Sequence, residues 1–186
     1  MRADGRRRPA ASGSDQAQQR LRRIRDAFLG VGQRQAAGLA ASLGLAPERY
    51  AQDPLLLLPG LQSYVDRLPL GEFEQSDWIG LHTDLTSFLG DLLVRRHGAR
   101  WAQVADSTSP AGHRYLVEAK GLDGKQYRVE PYDVVMEEFE NLPIEIGRMI
   151  ANAEAVLKLL PVVDSESLGG VSLEDLMGES GDSRQD

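Results

Sequence analysis

The sequence contains no cysteine among its 186 residues. This absence excludes disulfides, thiolate zinc sites and cysteine nucleophiles. Long apolar runs are missing as well, since the longest, Leu55–Leu58, is far too short to span a bilayer. The basic N-terminus, which begins Met1-Arg2, is not followed by an apolar run and is therefore not a Sec signal. We expect a cytoplasmic protein.

The residue groupings that mark common catalytic and metal sites are also missing. The three histidines, His82, His97 and His113, have no second histidine at ligand spacing, and the sequence contains no His-Glu-x-x-His. Gly121–Lys125 is glycine-rich but lies between two predicted strands, so it indicates a turn and not a phosphate-binding loop. No serine lies in the glycine-flanked context of a hydrolase nucleophile. We expect no metal and no cofactor, and these absences favour a non-enzymatic protein.

Charge is distributed unevenly along the chain. Residues 1–25 hold eight arginines against two aspartates, a balance of +6, and residues 164–186 hold seven acids against one arginine, a balance of −6. The middle of the chain therefore carries the whole net charge of −7. An acidic middle argues against a surface that follows nucleic-acid phosphates. We expect the arginine-rich head to be a solvated arm, and the alternatives are contact with an acidic partner, with nucleic acid or with the acidic tail of the chain itself.

Large apolar residues are scarce at both ends, which therefore cannot offset the entropy lost on ordering. We predict a disordered basic head over 1–20, a single domain over 21–163 and a disordered acidic tail over 164–186. Within the domain, 21–75 is a helical lead-in, and 76–163 is a helix, a meander and a helix. The predicted fold class is α+β in the order α-α-α-β-β-β-α. Its three-stranded antiparallel meander is covered on one face by helices.

The helices are predicted from apolar side chains at three- and four-residue spacing. The first covers Asp15–Leu43. The third begins at a cap formed by Ser76 and ends at Gly98, after a basic last turn that suits a helix C-terminus. A short helix or loop over Tyr132–Glu140 precedes the last long helix, which Pro161 closes.

The hairpin between the last two strands has a register that its side chains indicate. A two-residue turn would place Glu118 opposite Val129, which sets a charge against a core residue. Shifting the register by one residue pairs Val117 with Val129 instead. The shifted register needs a three-residue loop with Gly124 in the left-handed conformation. We predict the shifted register.

A histidine and two acids on the third helix are the catalytic candidates. His82 lies on the apolar face, and Asp84 and Asp91 are spaced by seven residues along one side of the helix. A histidine in a cleft beside a carboxylate can act as a general base, which makes a small hydrolase or ligand-binding domain one hypothesis. The alternative, a buried and hydrogen-bonded histidine next to a solvated acidic face, is the more common use of such residues.

The acidic tail holds one segment with an apolar face that can fold on a partner groove. An inert tail is the alternative. Residues 167–173 also loosely resemble the Ser-Leu-Gly-Ile-Gly-Ser-Leu tail that targets cargo into encapsulin shells, with the glycine and the branched residue exchanged. The candidate partner-binding residues are Leu168, Leu173, Leu176 and Met177.

Three segments carry a recognisable pattern, namely Ser63–Leu68, Phe88–Trp101 and Val129–Pro131. Together they resemble a group of uncharacterised small α+β domains that is common in high-GC actinobacteria. The shared pattern is a helical lead-in, a Leu-Gly-acid … Gly-x-x-Trp junction between helix and strand, and a meander that ends near a proline. The resemblance covers about residues 45–160 and implies a fold and a bacterial source, without catalytic residues. The family usually has Gly-Glu where this chain has Gly90-Asp91.

These observations favour a non-enzymatic interaction or adaptor module. Its α-β-β-β-α plan is shared with many small bacterial immunity proteins and secretion chaperones, which is an analogy of fold alone. We expect a protein partner that docks on the exposed face of the sheet, on the C-terminal peptide, or on both. The other hypotheses are the hydrolase or ligand-binding domain at His82, nucleic-acid contact through the head, and encapsulin cargo.

Overall fold

The computed structural model describes residues 30–109 and 112–161. It confirms the α+β class, with helices before and after a three-stranded antiparallel meander. Two helices follow the meander rather than one, because the segment predicted as a short helix or loop is helical. The elements are α1 (residues 30–42 as far as described), α2 (Pro47–Gln52), α3 (Leu58–Val65), α4 (Gln75–His97), β1 (Arg100–Ala105), β2 (His113–Lys120), β3 (Gln126–Val129), α5 (Pro131–Glu140) and α6 (Ile146–Val156).

The first helix ends as its glycine indicates. Gly44 has a φ of +82°, and the N–H groups of Gly44 and Leu45 donate to carbonyls three and five residues earlier, at 3.0 and 2.9 Å. This is the Schellman arrangement, which satisfies the last free carbonyls of a helix. Residues 15–29 of the predicted helix lie outside the described residues.

The start of α4 differs from the prediction. The helix begins at Gln75, so Ser76 is its second residue, and the prediction that Ser76 is the cap was wrong. Glu74 holds the cap position, and the Asp77 carboxylate accepts a hydrogen bond from the backbone N–H of Glu74 at 2.9 Å. An acidic side chain at this position also suits the positive end of the helix dipole.

The last helix is shorter than predicted. Its final residue is Val156, and Pro161 plays no part in ending it. Lys158 takes the left-handed conformation with φ 55°, and the N–H groups of Lys158 and Leu159 donate to carbonyls three and five residues earlier, at 3.0 and 2.9 Å. A lysine therefore fills the position that glycine usually takes in a Schellman motif, a substitution that the sequence pattern does not reveal.

The shifted hairpin register is confirmed. Val117 pairs with Val129, and Ala119 pairs with Tyr127. Gly124 has a φ of +81°, the left-handed conformation that the three-residue loop requires. The side chains of Val117 and Val129 consequently face the core together.

The core lies between the sheet and the helices. Helix α4 packs against β1, β2 and α5, and α6 packs against β3, α3 and α5. The apolar side chains of α4 are buried from Leu81 to Leu93, which makes this helix the centre of the domain. The largest buried side chains of α4 and α6 are Leu85, Phe88, Leu89, Leu92, Leu93, Ile146 and Met149.

A glycine of α4 receives a tryptophan of β1. Gly98, with φ +62°, ends α4 and lets the chain turn back along it. Trp101 then lies so close to α4 that a Cβ atom on Gly90 would be 2.1 Å from Trp101 Cζ2. No side chain fits there. The Gly90 and Trp101 positions of the helix-to-strand junction are thus two halves of one contact.

Candidate functional site

Six side chains on α4 and α5 face each other across a groove that is open to solvent. On α5 they recur at spacings of four and three residues, which places them on one face of the helix. Together they line a cavity of about 490 Å³ between the two helices. We call this the α4–α5 groove, and it is defined by Trp78, Ile79, His82, Tyr132, Met136 and Phe139.

Aromatic rings hold the two walls of the groove together. The rings of Trp78 and Phe139 meet edge to face with centroids 5.1 Å apart. The rings of His82 and Tyr132 are 4.2 Å apart in a tilted arrangement, and Phe73 supports Trp78 at 5.2 Å. Such contacts stabilise beyond the area that they bury, so the walls are positioned before any ligand arrives.

The rim of the groove is apolar and exposed. Ile79, Tyr132 and Met136 keep 58%, 52% and 40% of their surface accessible. Large apolar side chains scattered singly over a surface are ordinary, but several that border one concavity mark an interaction site. Val31 of α1, which is 45% exposed, borders a neighbouring cavity.

His82 is buried between the two helices and serves as their polar link. Its Nε2 lies 3.1 Å from the carbonyl oxygen of Tyr132, and its Nδ1 lies 3.5 Å from Thr86 Oγ1. Since a carbonyl oxygen only accepts, Nε2 carries the proton and Nδ1 accepts from the threonine hydroxyl. Burial lowers the pKa of His82, although the Tyr132 carbonyl and the charge of Asp133 oppose this shift. The neutral ring is therefore favoured.

The three catalytic candidates are not brought together as an acid–base group. The hydrogen bonds of His82 among the described residues go to a carbonyl and a hydroxyl, not to a carboxylate. Asp84 is half-buried, and burial raises its pKa. Asp91 is fully buried, and its Oδ2 accepts from the hydroxyl of Tyr50 at 2.9 Å and from Nε of Arg95 at 2.7 Å. Asp91 thus ties α2 to α4, a structural role.

Two further cavities adjoin the groove. One of about 460 Å³ lies toward β1 and β2, and one of about 330 Å³ lies toward α1. Tyr132 borders all three cavities, and His82 borders two of them. The cavities therefore follow one another along a single side of α4, from its N-terminal turns to Trp101.

The helix segments that form the groove are rich in acids outside its apolar lining. Residues 72–86 contain four acids, residues 130–140 contain five, and neither stretch contains a lysine or arginine. At one end, Arg114 pairs with Glu130 and with Asp133, the latter at 2.6 Å. Burial raises the pKa of Glu130, and the hydrogen bond to Glu130 raises the pKa of Arg114. Arg148 pairs in the same way with the buried Glu138, and the nine acids of the two segments still outnumber these two arginines.

The exposed face of the sheet, the docking surface expected from the sequence, carries a row of charges. Glu118 of the central strand accepts from Nε of Arg100 at 3.2 Å and from Nε of Arg128 at 2.6 Å. One residue from each strand thus completes an ion-paired row in which the carboxylate is already satisfied. The expected tail residues Leu168, Leu173, Leu176 and Met177 lie outside the described residues.

The α5 wall is what sequence reasoning missed. The spacing of Tyr132, Met136 and Phe139 is the signal for this wall, but in so short a segment it does not distinguish a helix from a loop. A helical reading gives these three residues one face and leaves Asp133 and Glu137 on another. Among residues 30–109 and 112–161, no group of three or more acids and histidines is arranged to hold a metal ion.

Comparisons with family models, with curated proteins and with solved structures gave no significant match to this chain. The likeness to actinobacterial domains therefore remains a resemblance in sequence pattern. Across the described ranges, none of the helices combines the length and apolarity that crossing a membrane requires.

Proposed function

We propose that this protein is a non-enzymatic protein-interaction module whose α4–α5 groove binds an amphipathic helix of a partner protein. The observation that carries the proposal is the exposure of Ile79, Tyr132 and Met136 around one concavity between two helices. Helices bind such grooves by inserting apolar side chains at three- and four-residue spacing. The exposed face of the sheet is the weaker candidate for docking a partner, because the carboxylate of Glu118 at its centre already forms an ion pair on each side.

A helix suits the groove better than a small polar ligand does. Sites for small molecules combine an apolar lining with a few convergent polar groups that are free to fix the ligand. Here the buried polar group is His82, and both of its ring nitrogens already form hydrogen bonds, with Tyr132 and Thr86. What the groove offers a ligand is apolar area, which an amphipathic helix supplies along its length.

The charge of the walls specifies the polar face of that helix. Acids occur on both walls without an intervening basic residue. A partner helix that carries lysine or arginine beside its apolar stripe is attracted to them, and an acidic one is repelled. Because six of these nine acids are exposed to solvent, this contribution weakens as salt is added.

The test uses synthetic peptides and the full-length chain. A photo-reactive phenylalanine analogue replaces Met136 in the groove and, in a matched control, Val156 on α6, which is similarly exposed (40% and 49%). The probes are an amphipathic helix of leucine and lysine and its leucine–glutamate counterpart. We expect the basic peptide to be captured at position 136 but not at 156, with less capture at high salt.

Two outcomes would contradict the proposal. Equal capture of the basic peptide at positions 136 and 156 would show that it adheres to the acidic surface without using the groove. Capture of the leucine–glutamate peptide at position 136 as strongly as the basic one would remove the charge argument.

A further inference from the structure

The described chain begins beside the groove. Val31, in the first described turn of α1, borders the same small cavity as His82 and Thr83 of α4. One turn later, Ser87 Oγ donates to Gln35 Oε1 at 2.9 Å. The described part of the chain therefore begins at a cavity that adjoins the α4–α5 groove.

Contacts of the described chain give its direction along α4. After α1, the chain reaches later turns of α4, because the hydroxyl of Tyr50 donates to Asp91 and Arg95 approaches the carbonyl of Ala51 at 3.5 Å. The chain thus advances along α4 in the same sense as α4 itself. From Gln35 back to Val31, α1 runs toward the N-terminal turns of α4, where the α4–α5 groove lies.

We propose that the segment Arg20–Phe28 of this chain occupies the α4–α5 groove in cis, as an internal competitor of the partner helix. Leu21, Ile24 and Phe28 continue the three- and four-residue spacing that ends at Val31. At a helical rise of about 1.5 Å per residue, Phe28 and Ile24 would lie roughly 4.5 and 10.5 Å before Val31. Counting back along α4 from His82, Ile79 and Gln75 are displaced by the same two intervals.

The charge of Arg20–Phe28 also favours this segment as the occupant of the α4–α5 groove. Within Arg20–Phe28, four arginines accompany the three apolar residues and one aspartate. The groove walls carry acids and no basic residue, so the segment has the composition that the proposed partner helix requires. The inference therefore rests on the proposed function, since it takes the groove to be a helix-binding surface.

An occupant in cis sets a threshold for the partner. The apparent dissociation constant of a ligand rises in inverse proportion to the fraction of molecules whose site is free. A segment that fills the groove nine-tenths of the time would weaken the binding of a free peptide about tenfold. A short connection to α1 favours such occupancy, because tethering gives the segment a high effective concentration.

The absence of cysteine makes proximity measurable in the full-length chain. Two double variants, Ile24→Cys with Met136→Cys and Ile24→Cys with Val156→Cys, are treated with a short bismaleimide at low protein concentration. Mass spectrometry then follows the crosslinked monomer. We expect the 24–136 pair to crosslink at least about tenfold faster than the 24–156 control, in proportion to the difference in effective concentration. Equal rates would overturn the inference, and so would a crosslinked dimer as the main product of the 24–136 pair.

Peptide affinity gives a second readout. Replacing Leu21, Ile24 and Phe28 together by serine frees the groove, so the leucine–lysine peptide should bind about tenfold more tightly than to the unaltered chain. Unchanged affinity would contradict the occupant in cis and leave the proposed function standing. Failure of the peptide to bind both proteins would instead refute the proposed function, whatever the crosslinking shows.

Discussion

The contact between Gly90 and Trp101 allows a test of the packing that supports the groove. A Cβ atom at Gly90 would lie 2.1 Å from Cζ2 and 2.7 Å from Cη2 of the indole. Trp101 borders the two cavities that adjoin the groove, so a displaced indole would change their shape. Gly90→Ala is the smallest change that forces this displacement.

The same helix supplies a matched control. Gly80 is an exposed α4 glycine, and a Cβ there would meet nothing within 4 Å. Both substitutions gain up to about 1 kcal/mol from the higher helix propensity of alanine. Their difference therefore isolates the overpacking at Trp101, which costs typically about 1–3 kcal/mol. We expect Gly80→Ala to stabilise the fold and Gly90→Ala to be less stable than Gly80→Ala by that amount.

Urea unfolding followed by circular dichroism measures both free energies of unfolding, provided that the slope with denaturant is the same in all variants. Adding Trp101→Leu to Gly90→Ala removes the clashing ring atoms. The double variant should then be more stable than the sum of the two single effects, which is the coupling expected of two residues in contact. Equal stabilisation by Gly90→Ala and Gly80→Ala would refute the packing described here.

Three further predictions concern the turn, the buried acid and the buried histidine. Gly124→Ala should lower the free energy of unfolding by about 1 kcal/mol, because alanine is strained at φ +81°. The control Gly147→Ala, in α6, should not destabilise the fold. Thermal unfolding compares the two variants. Tyr50→Phe removes a donor to the buried Asp91 and should cost about 1–2 kcal/mol in urea, and no loss would contradict that bond. Since the pKa of His82 is below its ordinary value of about 6.5, the folded state binds this proton less tightly than the unfolded state. The contribution of His82 to stability is therefore complete above about pH 6.5 and is lost as the pH falls. The stability of the wild type relative to His82→Gln should decrease from pH 7 to pH 5. A constant difference would show that His82 is not shielded from solvent.

The candidate site was the part of the molecule that the sequence predicted least. His82 was correctly placed on a buried face of α4 under the alternative hypothesis, because its neighbours at helical spacing are leucines. Its partner could not be foreseen, since the Tyr132 carbonyl lies fifty residues further along the chain. Spacing within one helix says which residues share a face, but not which second helix that face meets.

Local patterns in this sequence determined what depends on neighbouring residues. Gly44, Gly98 and Gly124 mark the ends and the turn because a left-handed backbone is strained for other residues, and alternation of apolar residues fixed the register of the hairpin. Only the tertiary structure decided that Gly90 receives Trp101 and that the apolar faces of α4 and α5 leave a groove open between them. Those features depend on the distance at which separate elements pack, which is set by the whole core and not by any short stretch of chain.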